Sequence, residues 1–315
     1  MIVVTGGAGF IGSNLVAALN ARGQDDVVVV DDLSAGEKFR NLADCRIADY
    51  LDKDEFLAAI RDGARTGFSP ELVFHLGACA DTTVRDGRVM MAANYTCSRH
   101  VLRFCMAARV PLIYASSAAV YGAATFREAP ECETARNVYG YSKLLFDCHV
   151  RRILPEASAP VVGLRYFNVY GPREAHKGTM ASVVWQLSEQ LRAGGRARLF
   201  VGSGGYGDGE QRRDFIHVDD AVAVTLWCAD RGDLSGIFNV GTGCSQSFNE
   251  VARAVIEWHG HGEVEYIPFP DGLEQAYQSF TEADLTRLRE AGYTGGFRDV
   301  RTGVRDYLDR AATRA

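Results

Sequence analysis

Lysine is nearly missing from this chain. Of 34 basic residues only Lys38, Lys53, Lys143 and Lys177 are lysines, and the remaining thirty are arginines. Where arginine has taken almost every cationic position, a surviving lysine is a candidate for work that needs a compact ammonium of adjustable pKa. Chance codon usage is the plain alternative. Positive charge is also short overall, since 40 acidic residues outnumber the 34 basic ones and leave a net charge of -6. That balance argues against nucleic acid as a partner, since such binding needs a basic face to release counterions. An anionic ligand must instead be met by local cations.

Other absences narrow the class further. No apolar run is long enough to cross a bilayer, and the start, Met1 to Val4, enters a glycine turn without a basic leader, so the expected location is the cytoplasm with no membrane partner. The eight cysteines contain no C-x-x-C pair, which argues for scattered thiols in a reducing compartment rather than a disulfide frame. The seven histidines show no ligand spacing, and no metal site is expected.

What is present suits a sizeable core, for the 315 residues are 47% hydrophobic. Short apolar runs at 2–5, 27–31, 46–49, 72–76, 112–116 and 161–165 read as strands. Stretches at 10–21, 54–61, 90–108 and 139–153 carry 3.6-residue apolar periodicity and read as helices. Strand and helix alternating in this way predict an α/β fold, a Rossmann-type doubly wound parallel sheet. Residues 1–170 are expected to form the dinucleotide-binding domain, rejoined in part by 214–242. Residues 171–315, with a helix at 180–192 and a glycine-rich loop at 202–209 that suits a mobile flap, are expected to form mainly a smaller C-terminal substrate-binding domain.

The segment Thr5-Gly6-Gly7-Ala8-Gly9-Phe10-Ile11-Gly12 follows the first predicted strand and opens the first predicted helix. Gly6, Gly9 and Gly12 there permit a tight turn, close approach of backbone to a pyrophosphate and close helix packing, while the helix N-terminus offers free N–H groups to phosphate. Asp31, at the end of the second strand, has the spacing of the acid that accepts from a ribose 2'-hydroxyl and favours NAD. A 2'-phosphate needs a cation, and Lys38 and Lys53 supply candidates. NAD and NADP both stay open, with the two lysines tilting toward NADP.

Tyr139 and Lys143 stand four residues apart at the start of a predicted helix, on one face. Such a pair alone proves little, but its chemistry is specific. A phenol of pKa about 10 that is to act as a base near neutrality needs its anion stabilised by about 4 kcal/mol. A cation about 4 Å away supplies roughly that much. Ser117, at the end of the preceding strand, can donate to the same substrate oxygen. Two satisfied strand-end hydroxyls, Ser116 and Ser117, are the plain alternative.

The motifs T-G-G-A-G-F-I-G, Y-A-S-S-A-A-V-Y-G, Y-G-Y-S-K and R-Y-F-N-V-Y-G-P-R, beginning at Thr5, Tyr114, Tyr139 and Arg165, resemble the extended short-chain dehydrogenases that act on nucleotide sugars. Within that group, the segments at 47–50, 137–143, 165–178, 236–243, 265–271 and 277–284 resemble the ADP-L-glycero-D-manno-heptose 6-epimerase family, the His176-Lys177-Gly178 and Tyr277-Gln-Ser-Phe-Thr281 segments most specifically. The resemblance runs from residue 1 to about 310. It implies a tightly held NADP, an ADP-heptose nucleotide sugar as partner, a homo-oligomer and a place in making the heptose of lipopolysaccharide cores.

Inverting a carbon that bears only hydrogen, hydroxyl and carbon requires removing hydride, turning the ketone over and returning the hydride to its other face. The two alkoxide positions lie on opposite sides of the sugar, and the resemblance implies a second base at Lys177 opposite Tyr139. The rival account of Lys177 is a phosphate or carboxylate contact in a solvated loop. Cofactor positions implied by the resemblance are Phe10, Ile11, Asp31, Asp32, Lys38, Lys53, Leu76, Gly77, Ala78, Cys79, Asn94, Lys143, Val169 and Lys177. Substrate positions so implied are Ser117, Asn168, Thr179, Gln186, Phe200, Val201, Gly202, Ser203, Arg213 and Tyr277, with Arg213 suited to bidentate capture of a diphosphate oxygen. Gln186 stands where other members carry histidine, and Leu76 where they carry glutamate. Rival readings are a UDP-hexose 4-epimerase, which has no need of Lys177, a dehydratase, whose acidic pair the 116–119 segment lacks, and a non-enzymatic dinucleotide sensor.

Overall fold

The computed structural model describes residues 1–61, 67, 69–81, 84, 86–122, 125–272, 274 and 277–313. It divides into two compact units. The first comprises Met1–Ala123, Glu128–Tyr166 and Val222–Phe238, and the second Ala124–Arg127, Phe167–Ala221 and Asn239–Ala315.

A seven-stranded sheet dominates the first unit, in the order Gly236–Val240, Val161–Tyr166, Leu112–Ser117, Leu72–His75, Ile2–Thr5, Val27–Asp31, Asp49–Asp52. The five pairings from Val161–Tyr166 across to Asp49–Asp52 are all parallel. Strands covered by helices on both faces are mainly apolar, as are Val27–Asp31 and Val161–Tyr166, buried at every position, with Asp31 and Arg165 the charged exceptions, each ion-paired. Val3, Val28, Val73, Leu112 and Val161 on the strands pack with Val101, Leu102, Phe146 and Val150 of the helices Cys97–Ala108 and Val138–Ile153. The strand order reverses between Ile2–Thr5 and Leu72–His75, where a doubly wound sheet leaves a crevice at its carboxyl edge.

Two local expectations are corrected. The strand read at 46–49 lies at Asp49–Asp52, with Asp49 beside Val28. Arg46 turns aside instead, its N–H donating to Asn20 at 2.8 Å and its Nε to Asp25 at 2.7 Å. The helix read at 90–108 begins at Gly87, capped by Asp86, and contains a π-helical segment at Met91–Thr96 before Cys97–Ala108. Such wide turns often mark functional positions.

The second unit is built around the helices Val183–Gly194, Phe248–His259 and Val300–Ala312. Leu187, Leu191, Val251, Val255, Val304 and Leu308 supply their shared core. Each helix starts on a side-chain cap, Ser182, Ser247 with Glu250 in a capping box, and Asp299. Three two-stranded pairs complete the unit: Asn168–Tyr170 with Phe215–His217, Arg196–Phe200 with Glu263–Ile267, and Arg212–Arg213 with Gln246–Ser247. The 202–209 loop is braced rather than loose. Gly202 N–H donates to Asp208 at 2.7 Å, Gly209 N–H to the Phe200 carbonyl at 3.0 Å, and Asn249 Nδ2 to the Asp208 carbonyl at 2.9 Å.

None of the eight cysteines forms a disulfide. Among the described residues no helix is long and apolar enough to cross a membrane.

Candidate active site

The glycine turn lies at the carboxyl end of Ile2–Thr5, where the helix Phe10–Ala21 begins at Gly9 with no side-chain cap. Two glycines are required by space. Gly6 has φ +71°, and a Cβ on it would stand 2.6 Å from the Gly77 nitrogen; on Gly12 it would stand 2.0 Å from the Gly6 oxygen. Uncapped N–H groups beside a cradle that a methyl group would fill fit the phosphates of a dinucleotide.

A cavity of about 520 Å³ opens beside this turn, lined among others by Gly6, Asp31, Asp32, Lys38, Lys53, Gly77, Ala78 and Cys79. It thus gathers eight of the expected cofactor positions. Asp31 is buried and already engaged: its carboxylate accepts from Ala8 N–H at 2.7 Å and Asp32 N–H at 2.6 Å and pairs with Lys38. Three of roughly four acceptor positions are therefore taken. Asp31 braces the glycine turn as well as facing the cavity. Asp32 accepts from Lys53 at 2.6 Å and from Ser34 N–H at 2.8 Å, and these bonds hold its carboxyl far below the usual carboxylate range. Lys53 is raised in return, chiefly by Asp32.

Asn94, in the π-helical segment, grips Cys79 at both backbone groups, accepting from its N–H at 2.8 Å and donating to its carbonyl at 3.1 Å. A third bond, 3.0 Å to Ser142 Oγ, ties it to the helix that carries Tyr139. Asn94 therefore shapes the cavity wall. Phe10 and Ile11 lie in the first turn of the first helix, and Leu76 follows the strand Leu72–His75. Val169 and Lys177 belong to the second unit.

Tyr139 lies in the first turn of Val138–Ile153, and its phenol is hydrogen-bonded with Ser117 at the end of Leu112–Ser117. Lys143, one turn on and buried, donates from Nζ to the Ala115 carbonyl at 2.9 Å. Burial lowers this ammonium to about 8, against the opposing charges of Asp147, Cys97 and Cys79. Burial pushes the Tyr139 phenol up, with the Ser117 hydrogen bond pulling it down. A base acting near neutrality calls instead for a lowered phenol. The difference is physical: desolvation outweighs the local donors, and Lys143 directs its ammonium at a carbonyl.

Below them lies a buried network with no motif in the sequence. Asp147 accepts from Tyr114 Oη at 2.8 Å, Ser116 Oγ at 2.9 Å and Arg165 Nε at 2.8 Å. Ser116, weighed above as a plain strand-end hydroxyl, belongs to this network. Arg165 is fully buried and also meets Glu133 at 2.6 Å and Tyr121 Oη at 2.9 Å. Successive turns of one helix thus fasten Tyr139, Lys143 and Asp147 to one strand.

In the second unit, Arg213 is buried with its guanidinium 5.0 Å from the ring centre of Tyr277 and 5.7 Å from that of Phe248. Phe200 stacks on Phe269 at 4.4 Å and meets Tyr277 edge-on at 5.9 Å. Burial lowers Arg213, while Tyr277 supports its charge. Arg212 turns to Ser245, 3.2 Å from Nε to Oγ, so Arg213 holds the aromatic position alone of the two. Phe248 and Phe269 were not anticipated, because nothing in their spacing shows that they converge. Ser203 Oγ accepts from Gln211 Nε2 at 3.2 Å, and Val201 accepts from the same amide at 2.7 Å. Asn168 accepts from Thr281 Oγ1 at 3.3 Å. Gln186 donates to the Gly178 carbonyl at 2.7 Å, beside the exposed Thr179.

His217, Asp219 and Asp306 also converge in this unit, a grouping that sequence spacing did not show. Arg310 meets Asp219 at 2.7 Å and Asp306 at 3.4 Å, and Arg298 approaches the His217 ring at 3.3 Å, so arginines supply the positive charge there.

A doubly wound parallel sheet, an uncapped glycine-cradled helix terminus and a serine–tyrosine–lysine set define a dinucleotide-dependent enzyme of the short-chain dehydrogenase class. The chain belongs to the NAD dependent epimerase/dehydratase family, whose model matches residues 2–241. A relative from Alkalilimnicola ehrlichii, ADP-L-glycero-D-manno-heptose-6-epimerase, is 60% identical over 99% of this chain and 98% of its own. The Helicobacter pylori ADP-L-glycero-D-manno-heptose-6-epimerase structure matches with TM-score 0.85 and 31% identity, over 99% of this chain and 96% of that one. The Thermotoga maritima UDP-glucose 4-epimerase matches with TM-score 0.81 and 29% identity, over 99% of each chain.

Proposed function

We propose that this protein inverts C6 of the heptose in ADP-D-glycero-D-manno-heptose to give ADP-L-glycero-D-manno-heptose. The observation that carries this reading is the 60% identity, spread over essentially both whole chains, with a relative named for that reaction. Fold alone does not choose, since a UDP-glucose 4-epimerase superposes almost as well.

The dinucleotide is proposed to be NADP, held by the glycine turn, Asp31, Asp32, Lys38 and Lys53. Two ammoniums facing two carboxylates at one cavity rim give a neutral set that a 2'-phosphate can rearrange, drawing both cations to itself. When bound, the oxidised nicotinamide supplies a hydride acceptor and a positive charge. Tyr139 then takes or gives the proton of the C6 hydroxyl, with Ser117 holding that oxygen by a hydrogen bond. Lys143 keeps a cation beneath the strand that ends in Ser117, anchored through Ala115. Lys177 is proposed as the second proton-transfer group, serving the alkoxide of the inverted centre. Arg213 and its aromatic neighbours are proposed to receive the nucleotide diphosphate, a buried guanidinium being suited to a doubly anionic group.

Because the hydride is returned, the protein should turn over without added cofactor. Proton NMR of the purified protein with ADP-D-glycero-D-manno-heptose and, separately, UDP-galactose tests this. Conversion of the first alone is expected; conversion of the second alone would keep the class and overturn the substrate.

A further inference from the structure

The segment that carries Lys177, Ala175–Met180, is a short helical turn broken at Gly178, where φ is +54°. It has no apolar face of its own to hold it. Gln186 meets it at the Gly178 carbonyl, and one buried carboxylate fastens both of its ends. Glu174 is fully buried, and its Oε2 accepts from Ser182 N–H at 2.6 Å. Oε1 accepts from Ser182 Oγ at 2.6 Å and from Gly171 N–H at 3.4 Å. Gly171 precedes the segment and Ser182 follows it, so a single side chain closes it at both ends.

The hydrogen positions follow from the neighbours. Ser182 Oγ accepts from Trp185 N–H as cap of Val183–Gly194, which directs its own hydrogen at Glu174. These three partners all donate to the carboxyl, and the Tyr307 phenol of Val300–Ala312 faces it too, the pattern of an ionised acceptor. Burial pushes Glu174 up, while the Ser182 bonds, the Lys177 charge and Gly171 pull it down. Lys177 in turn is lowered by burial and raised by Glu174. The two residues are also joined through the backbone, Lys177 N–H donating to the Glu174 carbonyl at 2.9 Å.

We propose that Glu174 is the positioning residue for Lys177: its buried carboxylate closes the 171–182 segment and sets a fixed negative charge behind the amine. This rests on Lys177 being the second proton-transfer group. A carboxylate serves where a neutral side chain does not, because both of its oxygens must accept and because its charge keeps the lysine able to return a proton.

The test measures Lys177 itself as well as turnover. The full-length enzyme is labelled with acetic anhydride across a pH series, and acetylation of Lys177 is read by mass spectrometry. In Glu174→Gln the apparent pKa of Lys177 should fall by about one unit, with kcat reduced roughly tenfold or more and KM little changed. Glu174→Asp keeps the charge on a shorter arm, so its Lys177 titration should match the parent while kcat recovers only in part. Ser182→Ala, which removes one of these bonds and leaves the Glu174 charge in place, should lower kcat without moving the titration. An unchanged Lys177 titration in Glu174→Gln, or unchanged kcat in Ser182→Ala, overturns the proposal. Lys177→Met is run beside them: normal turnover there sinks the two-base reading itself, a result distinct from any labelling outcome.

Discussion

Lys143 Nζ donates to the Ala115 carbonyl at 2.9 Å, which locks this buried lysine to the strand that ends in Ser117. Tyr139 hydrogen-bonds with Ser117 two residues further along that strand, and Asp147 binds Ser116 Oγ and Tyr114 Oη between and behind them. The helix and strand are thereby held in register by three consecutive helical turns. The placing of Ser117, Tyr139 and Lys143 is a property of that seam rather than of any one residue.

Removing the phenolic hydroxyl leaves this seam almost intact, because Lys143 and Asp147 keep their own partners. Tyr139→Phe is therefore expected to lower kcat by about 10²–10⁴-fold while the melting temperature stays close to that of the parent protein. NMR turnover and a thermal melt on the same preparation check both. A fully active Phe variant would remove Tyr139 from proton transfer.

Asp147 carries the seam's stability. Its carboxylate and the Arg165 guanidinium are both fully buried, and truncating one member of such a pair leaves a charge without its partner. Asp147→Asn is expected to destabilise the protein by about 3–5 kcal/mol, moderated by the Glu133 and Tyr121 contacts that Arg165 retains. Chemical denaturation measures this. A change below about 1 kcal/mol would mean that the network relaxes around the amide.

How much of this was legible depends on distance along the chain. The glycine turn and the Tyr139–Lys143 pair are local patterns whose geometry follows from strand, turn and helix periodicity, and the sheet follows from the alternation of apolar runs. The strand at Asp49–Asp52 slid because Arg46 found partners in Asn20 and Asp25, a tertiary choice that period-two reading cannot see. The π-helical turn at Met91–Thr96 is likewise set by Asn94 reaching Cys79, not by composition. The aromatic shell of Arg213 draws on Phe248 and Tyr277, 35 and 64 positions away, and no sequence window connects them. Glu174 sits inside a quoted motif, yet only coordinates show it closing the segment on both sides.

Acid should loosen the first unit through His75. Its ring is buried, with Nδ1 2.7 Å from Thr5 Oγ1 and Nε2 2.9 Å from Ser98 Oγ, and burial, helped by Lys143, depresses it to about 3. The unfolded chain takes up this proton near its ordinary value of 6.5 and the folded chain only near 3. Stability from His75 is thus complete above about pH 6.5 and lost progressively as pH falls toward 3, by as much as about 5 kcal/mol. Denaturation at pH 7, 6 and 5 should show that decline, and His75→Gln, less stable at pH 7, should show a shallower one. Parallel slopes would assign the acid sensitivity elsewhere.

Lys38 and Lys53 offer the sharpest test of the cofactor. Each is paired, with Asp31 and Asp32 respectively, so a bound 2'-phosphate competes with existing ion pairs rather than meeting idle cations. Removing one lysine takes away a charge-assisted contact to that phosphate, worth about 1.5–3 kcal/mol, or roughly ten- to hundredfold in affinity. For NAD, which has a hydroxyl there, the loss frees a carboxylate to accept from the ribose and little affinity should be lost. Lys38→Ala and Lys53→Ala are therefore expected to weaken NADP binding about ten- to hundredfold and to narrow or reverse its advantage over NAD, measured by calorimetry on protein stripped of cofactor. Equal weakening of both dinucleotides would show that the lysines serve only to hold Asp31 and Asp32, and would return the preference to NAD.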